Sequence, residues 1–206
     1  MERRGDPYAG IPGRRIFVAA PVAPDVCTAI ERLVAVVRDG ADPGRRDVRW
    51  VRLNGLHVTL RFIGPTLEPR IPAALEAVRS VAREASPFAV ALDGAGAFPD
   101  HARPRALWLG LGDGVAELTD LTASLDRELA ARGWPADGRP FRPHLTLARS
   151  DGVSSGARTV ERLIEAARTL EAAWRVDRII LFESVTGGGP ARYVPIGEAS
   201  LGGGQT

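Results

Sequence analysis

One short pattern occurs twice in this chain, as "HVTLRF" from His57 and as "HLTLAR" from His144, and it constrains the fold more than any other feature. Apolar and polar residues alternate in both copies, which is typical of a β-strand with one buried face. Because side chains alternate along a strand, His57 shares a face with Thr59, and His144 shares a face with Thr146. The repeat therefore predicts two similar strands, each presenting an imidazole and a hydroxyl on one surface.

The elements around the two copies repeat in a similar order. Strand-like segments such as "RIFVAA" (15–20) and "ALWLGL" (106–111) alternate unevenly with amphipathic helical patterns, and strands often follow one another directly. This order favours an α+β fold with antiparallel pairing over a doubly wound parallel sheet. We predict two pseudo-symmetric lobes, each with an antiparallel sheet and helices, and an active cleft between the two sheets.

No linker rich in Ser, Gly or Pro separates the two halves, so we predict a single bilobal domain over residues 15–197. Residues 1–14, rich in Gly, Pro and Arg, and residues 198–206, which end in "GGGQT", predict flexible tails. No apolar run approaches the roughly 20 residues of a membrane span, and the first residues do not resemble a signal peptide. We expect a cytoplasmic protein that makes no membrane contact and is a monomer.

Composition excludes several classes of protein. The single cysteine, Cys27, cannot form an internal disulfide and excludes a cysteine-rich zinc module. The net charge of +2 is too balanced for a protein that coats nucleic acid. All 27 basic residues are arginines, whose planar guanidinium suits phosphate groups.

Two imidazoles and two hydroxyls on facing strands suit acid–base chemistry at a phosphodiester. An unperturbed histidine titrates at pH ~6.5, so one imidazole can act as a base while the other acts as an acid. No serine or cysteine nucleophile accompanies either copy. A third zinc ligand is also missing, because His101 lies in the loop "FPDHARPR", where a surface position is expected. A 2′,3′-cyclic phosphate, in which water attacks phosphorus and a ribose oxygen leaves, fits this set of groups.

At these residues the chain resembles the two-histidine (2H) phosphoesterase superfamily, and within it the RNA 2′,3′-cyclic phosphodiesterases, also called 2′-5′ RNA ligases. The resemblance covers about residues 15–197, through "RIFVAA", "WVRLNGLHVTLRFIG" (50–64), "RALWLGL" (105–111), "FRPHLTLAR" (141–149) and "ILFESVTGGGPARYVPI" (180–196). It implies hydrolysis of RNA 2′,3′-cyclic phosphate ends to 2′-phosphomonoesters without a metal or other cofactor. Some family members also join tRNA fragments through a 2′-5′ linkage, the same chemistry in reverse.

The resemblance also implies roles for particular residues. His57 is expected to protonate the departing 3′ oxygen and His144 to activate water. Thr59 and Thr146 are expected to hold the phosphate. Arg149 and Phe62 match further family positions near the substrate.

Strict alternation disagrees with two of these assignments. It places Arg149 on the face opposite His144, unless the strand bulges or ends near Ala148. It also places Phe62 in the core and makes Arg61 a rim arginine on the face of His57. Tyr193, in the last strand, either faces the cleft or packs against its neighbours.

Two other functions remain open from the sequence. A related phosphodiesterase could use the same two histidines on 2′-5′ oligonucleotides or cyclic nucleotides. A non-catalytic module that binds nucleotides or RNA could share the fold. Arg103 and Arg105, beside His101, form either a basic rim for RNA phosphates or an ordinary solvated loop.

Overall fold

The computed structural model describes residues 10–39, 48–150, 156–185 and 191–202. Nine strands and four α-helices follow one another in these residues: β1 (Arg14–Pro21), α1 (Pro24–Asp39), β2 (Val48–Trp50), β3 (His57–Thr66), α2 (Ile71–Glu84), β4 (Phe88–Phe98), β5 (Ala106–Leu111), α3 (Val115–Ala131), β6 (His144–Ser150), α4 (Gly156–Ala167), β7 (Ala173–Val176), β8 (Arg178–Val185) and β9 (Arg192–Ser200). Short 3₁₀ helices occupy Leu53–Gly55 and Glu68–Arg70.

The strands form two sheets, and this confirms the predicted α+β fold. One sheet has the order β3-β1-β8-β9 and the other the order β2-β6-β5-β4-β7. Every pairing in both sheets is antiparallel. The two histidine strands, β3 and β6, belong to different sheets, and Cα atoms of the two strands approach within 8 Å. The fold therefore brings together the two copies of the sequence repeat.

Buried apolar residues pack the sheets against the helices. In β1, Ile16, Val18 and Ala20 are completely buried. The helix α1 adds Ile30 and Val37, which are about two helical turns apart and so share its buried face. Each large apolar side chain that is fully buried contributes about 1.5–3 kcal/mol to the stability of the fold. This packing therefore holds the sheets that carry the histidines.

The ordered chain extends past both limits drawn from the sequence. Strand β1 begins at Arg14, and β9 continues to Ser200 because Arg178 pairs with Ser200. Leu201 is buried, and its N–H donates to the carbonyl of Asp177 at 2.8 Å. The glycine-rich residues that follow β9 led to a predicted domain end before the end of this strand. The remainder of the predicted tails, residues 1–9 and 203–206, lies outside the described residues.

No helix in the described ranges is both long enough and apolar enough to cross a membrane.

Candidate active site

Both histidine strands contain a β-bulge at the same place in the repeat. In β3, Thr59 pairs with Ala19 and Arg61 with Val18, so Leu60 is the extra residue. In β6, Thr146 pairs with Trp108 and Ala148 with Leu107, so Leu147 is the extra residue. Two successive residues point inward at each bulge, since Leu60 and Arg61 are both buried and so are Leu147 and Ala148.

Each of these bulges reverses which face of the strand the next residues occupy. Phe62 pairs with Phe17 and therefore lies on the face of His57 and Thr59. Arg149 pairs with Ala106 and lies on the face of His144. Strict alternation was thus wrong in placing Phe62 in the core and Arg61 at an exposed rim: Arg61 is buried, although it contributes to the wall of the pocket beside His144. Arg149 could reach the cleft face only if the strand bulged before it, and it does so at Leu147.

Each imidazole is held through Nδ1 by the backbone two residues earlier. The His57 Nδ1–O distance to the carbonyl of Gly55 is 2.8 Å, and the His144 Nδ1–O distance to that of Arg142 is 2.6 Å. Because a carbonyl only accepts, Nδ1 of each ring carries the proton. Nε2 is therefore the nitrogen that accepts or releases a proton in both histidines.

Aromatic rings enclose both imidazoles. Tyr193 meets the His57 ring edge to face at 4.8 Å between centroids, and Phe17 lies 5.1 Å from it. Phe98 meets the His144 ring edge to face at 5.0 Å. Tyr193 therefore faces the histidine site, one of the two positions that the sequence left open for it.

The pKa of each histidine is lowered, chiefly because burial removes water from the charged form. The positive charge that His144 can carry further lowers the pKa of His57, which shows that the two rings interact electrostatically. The Arg149 guanidinium further lowers the pKa of His144. Both imidazoles are therefore neutral at neutral pH when no anion lies between them.

The two threonine hydroxyls are available to a ligand. Thr59 is exposed and Thr146 is half-buried. Neither hydroxyl has a hydrogen-bond partner elsewhere in the part of the chain that the structure describes. Each can donate to an oxygen placed between the two histidines.

Arg61 ties the two histidine strands together instead of forming a rim. Its guanidinium pairs with Asp126 of α3 and lies 3.6 Å from Asp137. It also donates to the carbonyl of Pro135, and to that of Phe62 at 2.6 Å. Only 7% of Arg61 is exposed. This network joins β3, α3 and the segment that leads into β6.

A pocket of about 460 Å³ opens beside His144. Three aromatic rings line it, from Phe62, Phe98 and Phe141, together with Thr59 and His144. Arg142 also lines it and lies with its guanidinium 6.0 Å from the Phe98 ring centroid. Concave sites with aromatic walls and a few polar groups are typical small-ligand sites.

Sequence reasoning missed Phe17 and Phe98. Phe17 pairs with Phe62 of β3, and Phe98 pairs with Ala106, which in turn pairs with Arg149 of β6. Only the pairing of strands therefore reveals these two rings. His101 is exposed, as predicted. Within the described ranges, no group of three or more His, Cys, Asp or Glu side chains is arranged to hold a metal ion.

Comparison with known proteins shows the family to which the chain belongs. The family model of the 2′-5′ RNA ligase superfamily matches residues 21–188. The chain belongs to the 2′-5′ RNA ligase superfamily. An RNA 2′,3′-cyclic phosphodiesterase of Aquifex aeolicus is 33% identical over 158 residues, which cover 75% of this chain and 82% of that protein. One of Methanothermobacter thermautotrophicus is 30% identical over 174 residues, covering 84% and 94%.

Solved structures of similar proteins share the fold. TT0787 of Thermus thermophilus superposes with a TM-score of 0.72 at 25% identity, covering 93% of this chain and all of that one (100%). E. coli LigT in its apo form gives a TM-score of 0.69 at 25% identity, covering 91% and 97%. The arrangement of two antiparallel sheets and their helices is therefore common to these proteins and to this chain.

Proposed function

We propose that this chain hydrolyses RNA 2′,3′-cyclic phosphate ends to 2′-phosphomonoesters through His57 and His144, without a metal. The observation that carries the proposal is the matched pair of imidazoles, each fixed through Nδ1 to the carbonyl two residues before it. The names of the relatives support the substrate, since several are RNA 2′,3′-cyclic phosphodiesterases.

The reaction needs one base and one acid. Nε2 of the base removes a proton from water, whose oxygen attacks phosphorus while the bond from phosphorus to the 3′ oxygen breaks. Nε2–H of the acid protonates that departing oxygen, and the 2′ oxygen keeps the phosphate. General base and general acid catalysis each contribute roughly 10²–10⁴-fold.

We assign the base role to His144 and the acid role to His57, as the family resemblance implies. Arg149 disfavours a proton on His144, and a base must be neutral. When His144 is neutral, it no longer contributes to lowering the pKa of His57, and this favours protonation of His57. The negative phosphodiester raises the pKa of both rings on binding, and this supplies the protonated acid.

Thr59 and Thr146 donate to the non-bridging phosphate oxygens, where charge accumulates in the transition state. The terminal nucleoside enters the pocket beside His144, and its base stacks on an aromatic wall such as Phe62. Arg149 adds positive charge on the same face. Ligation uses the same groups when a 5′ hydroxyl replaces water: its oxygen attacks the phosphorus of the 2′,3′-cyclic phosphate and its proton goes to the base. The bond from phosphorus to the 3′ oxygen breaks, the acid protonates that oxygen, and a 2′-5′ linkage joins fragments such as tRNA halves.

The test uses a short RNA that ends in a 2′,3′-cyclic phosphate, incubated with the protein and EDTA. Wild-type protein should release the 2′-phosphomonoester. His57→Ala and His144→Ala should each lose at least about 10²-fold in kcat while keeping the wild-type thermal transition. His101→Ala, which changes an exposed histidine outside the site, is the matched control and should retain activity. Full activity in either site variant would exclude the two-histidine mechanism.

The same RNA distinguishes the alternatives. A non-catalytic module would bind the RNA without turnover. An enzyme for 2′-5′ oligonucleotides or cyclic nucleotides would cleave those substrates with a higher kcat/KM than the cyclic-phosphate RNA.

A further inference from the structure

Two arginines lie directly opposite each other on the cleft face of the second sheet. Arg49 of β2 pairs with Arg149 of β6, between the pairs Val48–Ser150 and Trp50–Ala148. Directly paired residues on antiparallel strands share a face, with Cβ atoms about 4.5–5.5 Å apart. Arg149 lies on the face of His144 and Thr146, so Arg49 lies on that face as well.

Neither arginine has an acidic partner among the described residues to offset the repulsion between the two guanidiniums. Arg49 and Arg149 are both exposed, and neither forms a hydrogen bond or ion pair with any residue that the structure describes. Like charges directly opposite each other on a sheet are destabilising. An anion that bridges the two guanidiniums converts this repulsion into two charge-assisted contacts.

The surroundings of the pair are also basic. The N–H of Ser150, next to Arg149, donates to the carbonyl of Arg105 at 3.1 Å. Arg105 is exposed, and its side chain has no partner among the described residues. The backbone of Arg105 therefore lies next to the Arg49–Arg149 pair at this end of the sheet.

The position of this end relative to the histidines suggests which anion binds there. Trp108 pairs with Thr146 and Ala106 with Arg149, so Arg149 lies two strand positions beyond Thr146, or about 7 Å along the strand. Arg49 lies one strand further out, on the edge of the sheet. An RNA whose terminal phosphate sits between the histidines can place its preceding phosphodiester at this end.

We infer that Arg49, with Arg149, forms a second phosphate subsite that binds the internal phosphodiester on the 5′ side of the terminal nucleotide. This inference rests on the proposed function for the identity of the ligand. It makes Arg49 a specificity residue that favours oligoribonucleotides over mononucleotides. The sequence offered no signal for it, because Arg49 sits before the first histidine run and meets Arg149 only through strand pairing.

A binding experiment tests the subsite independently of turnover. Wild-type and Arg49→Gln proteins are titrated with a labelled single-stranded oligoribonucleotide that ends in a 2′-phosphate, at several salt concentrations. Loss of one phosphate contact should weaken binding about tenfold and reduce the slope of log K against log salt by about 0.7. Arg79→Gln is the matched control, because Arg79 is an exposed arginine on α2 with no role in the site.

A kinetic experiment tests specificity with two substrates. One is a nucleoside 2′,3′-cyclic phosphate, and the other is a dinucleotide that ends in the same group and has one internal phosphodiester. Arg49→Gln should lower the ratio of kcat/KM for the dinucleotide to that for the mononucleotide by about tenfold.

An unchanged oligonucleotide affinity and salt slope in Arg49→Gln would overturn the subsite, whether or not the wild-type protein turns over RNA. An equal loss in Arg79→Gln would also overturn it, because the effect would then come from overall charge. Failure of the wild-type protein to hydrolyse either substrate would instead contradict the proposed function, and the binding result would still decide the subsite.

Discussion

Replacement of Arg61 by methionine should destabilise the protein and weaken catalysis together. Methionine has a similar length but no polar head, so the variant loses the guanidinium contacts to Asp126 and to the carbonyls of Pro135 and Phe62. Removing one partner of a buried ion pair costs about 3–5 kcal/mol. Asp126 and Asp137 keep 26% and 23% exposure, so water recovers part of this loss. We expect the free energy of unfolding to fall by about 3 kcal/mol, at the lower end of that range.

For a chain of this size, such a loss corresponds to a Tm lower by about 6–12 °C. Thermal and urea denaturation measure it directly. Arg139→Met is the matched control, because Arg139 pairs with the same Asp137 but is 75% exposed. An exposed pair contributes at most about 1 kcal/mol, so the control should change Tm little. Equal Tm shifts in the two variants would refute the reasoning.

The catalytic readout separates positioning from simple stability. Arg61 holds the segment that leads into β6, so its loss should move His144 relative to His57 and lower kcat more than it raises KM, at temperatures where the variant is fully folded. Arg61→Lys should rescue only part of kcat, because an ammonium cannot contact an aspartate and two carbonyls in the planar geometry of a guanidinium. A folded Arg61→Met protein with wild-type kcat would show that the network serves stability alone.

Three further outcomes follow from the same structure. Because folding lowers the pKa values of His57 and His144, the unfolded chain binds protons before the folded chain does as the pH falls below about 6.5, and the free energy of unfolding should decrease. Urea denaturation should show a weaker decrease in a variant with both histidines replaced by glutamine, and an equal decrease would contradict the lowered pKa values. Gly96→Ala should cost about 1–3 kcal/mol, because its Cβ would lie 2.6 Å from the Trp108 ring, and a wild-type Tm would be inconsistent with that contact. Tyr193→Phe keeps the ring that packs on His57, so its kcat should stay within about twofold of wild type, whereas Tyr193→Ala should lower kcat by up to about tenfold. A large loss of kcat in the phenylalanine variant would instead assign a role to the hydroxyl.

The sequence predicted the parts of the fold that depend on local periodicity. The apolar run from Ile16 to Ala20 forms a strand that is buried throughout, and the helical spacing of Ile30 and Val37 matches α1. The repeat around His57 and His144 also predicted two strands of one kind. These features can be predicted from the sequence because each depends on residues only a few positions apart.

The sequence could not show on which face of the strand the residues after each bulge lie. A bulge arises from pairing with another strand, here β1 for Leu60 and β5 for Leu147, and nothing in the local pattern marks the extra residue. Both of the strict-alternation errors, Arg61 and Phe62, come from this one cause. The family resemblance implies that Phe62 and Arg149 lie near the substrate, and the bulges place both residues on the faces of the two histidines.

The two bulges explain how a repeated strand serves a reaction that is not symmetric. Beyond each threonine, the next residue on the cleft face is the third along the chain, which is Phe62 in β3 and Arg149 in β6. Equivalent positions thus carry an apolar ring on one side of the cleft and a cation on the other. The proposed mechanism needs this difference, because in it one histidine must be neutral while its partner is charged. Arg149 lowers the pKa of the histidine on its own strand, and Phe62 carries no charge that could do the same to His57. The two strands therefore supply similar imidazoles, and the residue at this one position places a positive charge beside His144 that the strand of His57 lacks, in addition to the burial that lowers both pKa values.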